Sequence, residues 1–112
     1  ADAYPEPEGF WVRGRTTANL TILKPSEGDP SVTLTIHSGA QSNTVSLATP
    51  GWSERIDLTP GVTAKIVVPS NPGDAFISLS IRSADGFVPA DLERRNRDRR
   101  LLGAWIAFAP ND

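Results

Sequence analysis

Apolar and polar residues take turns along most of this chain. Val32, Leu34 and Ile36 alternate with Thr33, Thr35 and His37. Val45 and Leu47 alternate with Thr44, Ser46 and Ala48, and Ile77, Leu79 and Ile81 with Ser78, Ser80 and Arg82. Shorter stretches behave alike: Leu20 and Ile22 about Thr21, Ile56 and Leu58 about Asp57, and Ala64, Ile66 and Val68 about Lys65 and Val67. A period of two marks a strand with one buried face, because successive side chains point to opposite sides. The Thr and Val content agrees. Loops are signalled at residues 25–30, at Ser38-Gly39-Ala40, Pro50-Gly51 and Pro60-Gly61, and at residues 70–74.

Strands recurring about every 10 residues predict a sandwich or barrel. The expected fold is all-β: a two-sheet antiparallel β-sandwich, immunoglobulin-like or jelly-roll-like, of about eight or nine strands. Residues 1–9 carry Pro5, Pro7 and Gly9 among the acids Asp2, Glu6 and Glu8, and read as an extended lead-in. Residues 91–100 allow one short turn of helix but are too polar to bury a face. The last strand is expected over Leu101 to Phe108, with Trp105 in its middle. With no internal repeat and no linker, residues 1–112 read as one domain.

Composition narrows the chemistry. A chain of 112 residues can bury one core without staples. It has no cysteine, so neither a disulfide nor a thiolate metal ligand is available. A net charge of −2 argues against a global role on nucleic acid or an anionic membrane surface. No apolar run approaches the roughly 18 residues of a membrane span, so direct membrane insertion by this segment is not expected. Methionine is absent even at position 1, which raises the expectation of a longer natural protein.

No catalytic constellation stands out. The single histidine, His37, closes a predicted strand on its polar side, where a surface residue is the ordinary outcome. There is no HExxH, no phosphate-binding glycine loop and no GxSxG elbow. Asp74, Asp85, Asp91, Glu93 and Asp98 lack the regular spacing of a calcium loop. No metal or other cofactor is expected, and the chain reads as a non-enzyme.

Two groups of residues invite a binding role. Arg94, Arg95, Arg97, Arg99 and Arg100 cluster, but Asp91, Glu93 and Asp98 interleave with them and no aromatic alternates. A solvated loop with one or two ion pairs is the expected reading, the alternative being a site for an anionic group. Asp98 and Arg100 are its expected ordered members, because a carboxylate there can cap loop N–H groups while bracing an arginine. The tryptophans form the second group, since sugars stack their C–H patches on aromatic faces while polar neighbours read the hydroxyls. Trp52, after the Pro50-Gly51 turn, is the first candidate for exposure; Trp11 follows Phe10, so one of the two faces outward. Trp105, among Ala104, Ile106 and Ala107, is expected in the core. The candidate ligand contacts are Trp52, Trp11, Arg13 and Trp105.

Several phrases carry a resemblance. They are Gly9-Phe10-Trp11-Val12-Arg13-Gly14, Leu34-Thr35-Ile36-His37-Ser38-Gly39, Gly51-Trp52-Ser53-Glu54 and Gly86-Phe87-Val88-Pro89-Ala90. The most specific part joins Phe87 and Pro89 to Asp98, Arg100, Leu102 and Gly103. Together they resemble the C-terminal extracytoplasmic β-sandwich domain of bacterial membrane glycosyltransferases that use lipid-linked sugars. The resemblance spans nearly the whole chain. It implies an accessory, non-catalytic role in cell-envelope glycan assembly, with carbohydrate as a partner and a parent membrane protein in cis. It also implies that Asp98, Arg100 and Gly103 form a structural motif. The alternative is a purely structural or protein-interaction module with no ligand.

Overall fold

The computed structural model describes residues 3–6, 8–26, 28–93 and 95–108. Asp2 and Pro7 of the lead-in, Glu27 of the first loop and Arg94 of the arginine cluster lie outside the described residues.

The alternating runs form strands, and the strands form two antiparallel sheets. The elements are β1 (Ala3–Glu6), β2 (Gly9–Arg13), β3 (Thr17–Leu23), β4 (Ser31–His37), β5 (Asn43–Thr49), β6 (Trp52–Leu58), β7 (Ala64–Pro69), β8 (Phe76–Ser83), α1 (Pro89–Leu92) and β9 (Leu102–Phe108). One sheet has the order β1-β2-β9-β4-β7, the other β3-β8-β5-β6. Every connection from β2 to β9 crosses between sheets except the β5–β6 hairpin, where Pro50 and Gly51 make a two-residue turn between Thr49 and Trp52. This winding of β2 to β9 is jelly-roll connectivity rather than that of an immunoglobulin. The lead-in is extended, but it is more than a lead-in: β1 pairs with β2 and adds a fifth strand to one sheet.

Register decides what is buried. Leu34 faces Ile66 on one side and Phe108 on the other, and Ile36 faces Ala64 and Ile106. Across the sandwich, Ala18 pairs with Ile81, Leu20 with Leu79, and Leu47 with Ile81. Leu34, Ile36, Leu47, Leu79, Ile81 and Ile106 are the largest fully buried side chains. Each contributes about 1.5–3 kcal/mol by leaving water.

A polar knot sits within this core. Asn43, buried at the start of β5, donates from Nδ2 to Ser83 Oγ (2.7 Å), Gly103 O (3.0 Å) and Asp85 O (3.1 Å). Its Oδ1 accepts from the Asp85 N–H at 2.9 Å. Ser83 Oγ in turn donates to Asp85 O at 2.6 Å. One side chain thus satisfies groups from both sheets and from the start of the long β8–β9 connection, as a buried amide must.

Candidate functional site

The outer face of the five-stranded sheet carries a row of aromatic side chains. On β1, β2, β9 and β4 the residues Tyr4, Trp11, Trp105 and His37 are successive cross-strand partners. Strict alternation puts all four opposite the core residues Val12, Ala104, Ile106 and Ile36. Trp105 is therefore not a core residue. Its neighbours Ala104 and Ile106 point inward, and their inward turn sends the indole outward. The ring crosses Gly9 on β2, where an added Cβ would lie 2.8 Å from Trp105 Cζ2.

The rings of the row meet one another. Trp11 contacts His37, Phe87 and Trp105 edge to face, with centroids 5.7, 5.8 and 5.6 Å away. His37 lies nearly parallel to Trp105 at 6.3 Å. Such pairs are worth about 0.5–1.5 kcal/mol beyond area burial. Half-burial among these rings lowers the His37 pKa from its ordinary value, since a cation loses hydration there.

The β8–β9 connection, residues 84–101, packs over one end of the row. Phe87 exchanges backbone hydrogen bonds with Leu102 (2.7 and 2.8 Å), which sets its ring on Trp11. Gly39 makes room: at φ +80 it suits glycine, and a Cβ there would strike the Phe87 ring at 2.7 Å. Pro89 opens α1, where its missing N–H is harmless. The helix is a single turn, displaced toward the start of the segment expected for it.

Asp98 and Arg100 form the brace expected from their spacing. Asp98 Oδ1 accepts from the Arg100 backbone N–H and from Nε, both at 3.0 Å, and Oδ2 accepts from Nη2 at 2.7 Å. The hydrogen bonds from Arg100 hold the Asp98 carboxyl below its ordinary pKa, and the same bonds raise that of Arg100. Arg100 also reaches Glu6 at 3.3 Å and lies 5.2 Å over the Tyr4 ring. It thereby fastens the edge strand β1 to the connection. Arg99 pairs with Asp91 at 3.7 Å on the exposed surface, so the described arginines at 99 and 100 are engaged with carboxylates of this chain.

Between row and connection lies a recess of about 340 Å³, lined by Trp11 and Phe87 on the apolar side and by Glu6, Asn96, Asp98 and Arg100 on the polar side. Trp11, Trp105, Asp98 and Arg100 thus belong to one region. Gly103 underlies it, on β9 between Val12 and Ser83. Arg13 is exposed at the end of β2, beyond the register shift that separates it from Val12. Trp52 is not part of this region. It opens β6 at the other end of the sandwich, half-buried against the core rather than standing free.

Nothing in the sequence marks Tyr4, His37 or Phe87 as members of one aromatic surface. The cross-strand register that joins the first two is a tertiary fact. Phe87 was legible only as part of a motif. Among the described residues no group of three His, Asp or Glu side chains could hold a metal ion. Compared with known proteins, the chain matches no family model, no curated protein and no solved structure.

Proposed function

We propose that this chain is a non-catalytic accessory domain that contacts carbohydrate through the outer face of its five-stranded sheet. The observation that carries this reading is the row of Tyr4, Trp11, Trp105 and His37 directed away from the core, beside a recess lined by carboxylates, an amide and a guanidinium. Aromatic faces take the C–H patches of a sugar, and Asn96 and Glu6 read hydroxyls. The sequence resemblance supports a setting for this activity: the extracytoplasmic part of a membrane glycosyltransferase acting in cell-envelope glycan synthesis, with the present domain holding glycan near catalysis performed elsewhere.

The test is an NMR titration of the isotope-labelled domain with envelope-type oligosaccharides at millimolar concentration. Saturable shifts of the Trp11 and Trp105 indole N–H signals are expected. Their immobility across gluco-, manno- and arabino-oligomers would remove the reading.

A second reading rests on a specific observation. Three rings surround Trp11 and the Asp98–Arg100 brace is internally satisfied, as in a module whose aromatic row serves as a small second core under the connection. The titration separates the two, because a second core gives no ligand response.

A further inference from the structure

We infer that the domain carries a second saccharide site, at the end of the sandwich away from the aromatic row, formed between Trp52 and Phe76 and taking a neutral oligosaccharide. This rests on the reading of the domain as a glycan-contacting module, but uses none of the same residues.

Trp52 and Phe76 line a recess of about 350 Å³ together with Thr49, Asn71, Asp74 and Ser78. The two rings are placed differently. Trp52 follows the Pro50-Gly51 turn and packs against the core, so its indole is held by the sandwich itself. Phe76 begins β8 on the outward side and is 58% exposed, although phenylalanine is among the residues most often buried. A fixed indole beside an open phenyl is a stacking platform with one rigid wall.

The polar lining differs from that of the sheet-face recess in one respect that matters. There, Asn96 Oδ1, Asp98 and Arg100 already hold partners within the chain, which leaves chiefly the Asn96 amide N–H groups and one Glu6 oxygen for a ligand. Here, among the described residues, no hydrogen bond within the chain uses the side chains of Thr49, Asn71, Asp74 or Ser78. A hydroxyl-rich ligand needs such groups: a carboxylate and an amide oxygen to accept, an amide N–H and hydroxyls to donate.

The loop presenting them is nonetheless tied down. The Asn71 carbonyl accepts from the Asp74 N–H and from Lys24 Nζ, both at 3.1 Å. The Ser70 N–H donates to Pro30 O at 2.8 Å, and Ser70 Oγ to Asp29 O at 3.0 Å. Little ordering is left for a ligand to impose. Asp74 is the one charged residue of the lining among the described residues, so a uronate or a sugar phosphate meets its carboxylate where a neutral sugar finds an acceptor. The two sites share no lining residue, and β5, which ends at this recess, belongs to the sheet opposite the aromatic row.

The experiment is the same indole titration, read tryptophan by tryptophan, with neutral gluco-, manno- and arabino-oligomers and an oligoglucuronate. The Trp52 signal is expected to shift saturably with at least one neutral series and not with the uronate. Phe76→Ala, at an exposed position, should keep the melting temperature, weaken the Trp52 response about tenfold and leave the Trp11 and Trp105 responses alone. Asp74→Ala should weaken it several-fold. Shifts at Trp11 and Trp105 with a still Trp52 overturn the second site and leave the sheet-face reading standing. A Trp52 shift alone supports the second site and sinks the sheet face. A Trp52 response indifferent to Phe76→Ala, or stronger for the uronate, overturns the inference. So does a concentration-dependent dimer that Phe76→Ala abolishes while Trp52 ignores every sugar; that result would make the exposed phenyl a protein contact.

Discussion

The hydroxyl of Ser83 occupies the place that a side chain on Gly103 would need. An added Cβ would collide with Ser83 Oγ, and it would lie 2.7 Å from Ser83 Cβ and 2.9 Å from Val12 O. The glycine lets β9 of one sheet approach β8 of the other closely enough for the Asn43 amide to bond both. Neither obstacle is the tip of a long side chain, so a substituent cannot be sidestepped.

Gly103→Ala is accordingly expected to destabilise the domain by about 1–3 kcal/mol through overpacking. Urea unfolding measures it. Ser83→Ala should not rescue the variant, since the Ser83 Cβ remains in the way. A Gly103→Ala protein as stable as the parent would show that the sheets can separate here without penalty.

Asn43→Ala strands the Gly103 carbonyl in a buried setting and the Asp85 N–H in a partly buried one. Each stranded group costs about 1–3 kcal/mol, so a total near 3 kcal/mol is expected. Asn43→Asp should be no gentler at neutral pH, because a carboxylate would face the carbonyls of Asp85 and Gly103 that the amide now donates to. Thermal melts of both variants decide this, and Asn43→Asp should recover part of its loss as the pH falls toward 4.

The strands and their inward faces were legible because nearly every run obeys the period of two. Val32, Leu34 and Ile36 are buried as their spacing requires, and so are Ile77, Leu79 and Ile81. Trp105 departs from the burial expected of its size because parity along β9 overrides size. The same alternation that buries Ala104 and Ile106 sends it outward. β1 was hidden by Pro5 and its acidic neighbours, which weigh against a strand until a partner is available. Asn43 could not be recognised as a core residue, since its partners lie 40 to 60 positions away in sequence. The Asp98–Arg100 brace was legible because it is local; its extension to Glu6, 94 positions away, and to Tyr4 beyond it was not.

Asp98→Ala should cost about 1 kcal/mol, near the ordinary net value of a hydrogen-bonded group, because the side chain is 25% exposed and solvent replaces part of what is lost. Its pH dependence has a definite sign. The folded-state pKa lies below the ordinary 3.8, so the stabilisation is complete above that value and disappears as pH falls through the depressed one. Chemical denaturation at pH 6 and pH 2.5 should show the parent and Asp98→Ala converging in acid.

His37 has the opposite chemistry but a lowered pKa as well. The unfolded chain takes up the imidazole proton at about the ordinary 6.5, the folded chain only at lower pH. Stability is therefore full above pH 6.5 and falls as pH drops below it, until the folded form protonates too. The melting temperature of the parent should decline between pH 7.5 and 5.5, and His37→Gln should flatten that decline. Identical slopes would place the imidazole in water.

Arg100→Ala should loosen β1 selectively. Amide exchange at Ala3, Tyr4 and Glu6 is expected to quicken while β4 and β8 keep their protection, because the guanidinium joins β1 to the rest through Glu6 and Tyr4. Arg100→Lys should restore little, since a lysine cannot span Asp98 with two parallel bonds.

The sheet order β1-β2-β9-β4-β7 makes the first strand and the last mechanically unequal. A pull applied at Ala3 detaches an outermost ribbon rung by rung, and the remaining four strands of that layer stay whole. A pull applied at Phe108 must tear β9 from between β2 and β4, splitting the layer down its middle. Tension transmitted through the domain is thus relieved at its leading edge, and the trailing end is the anchor.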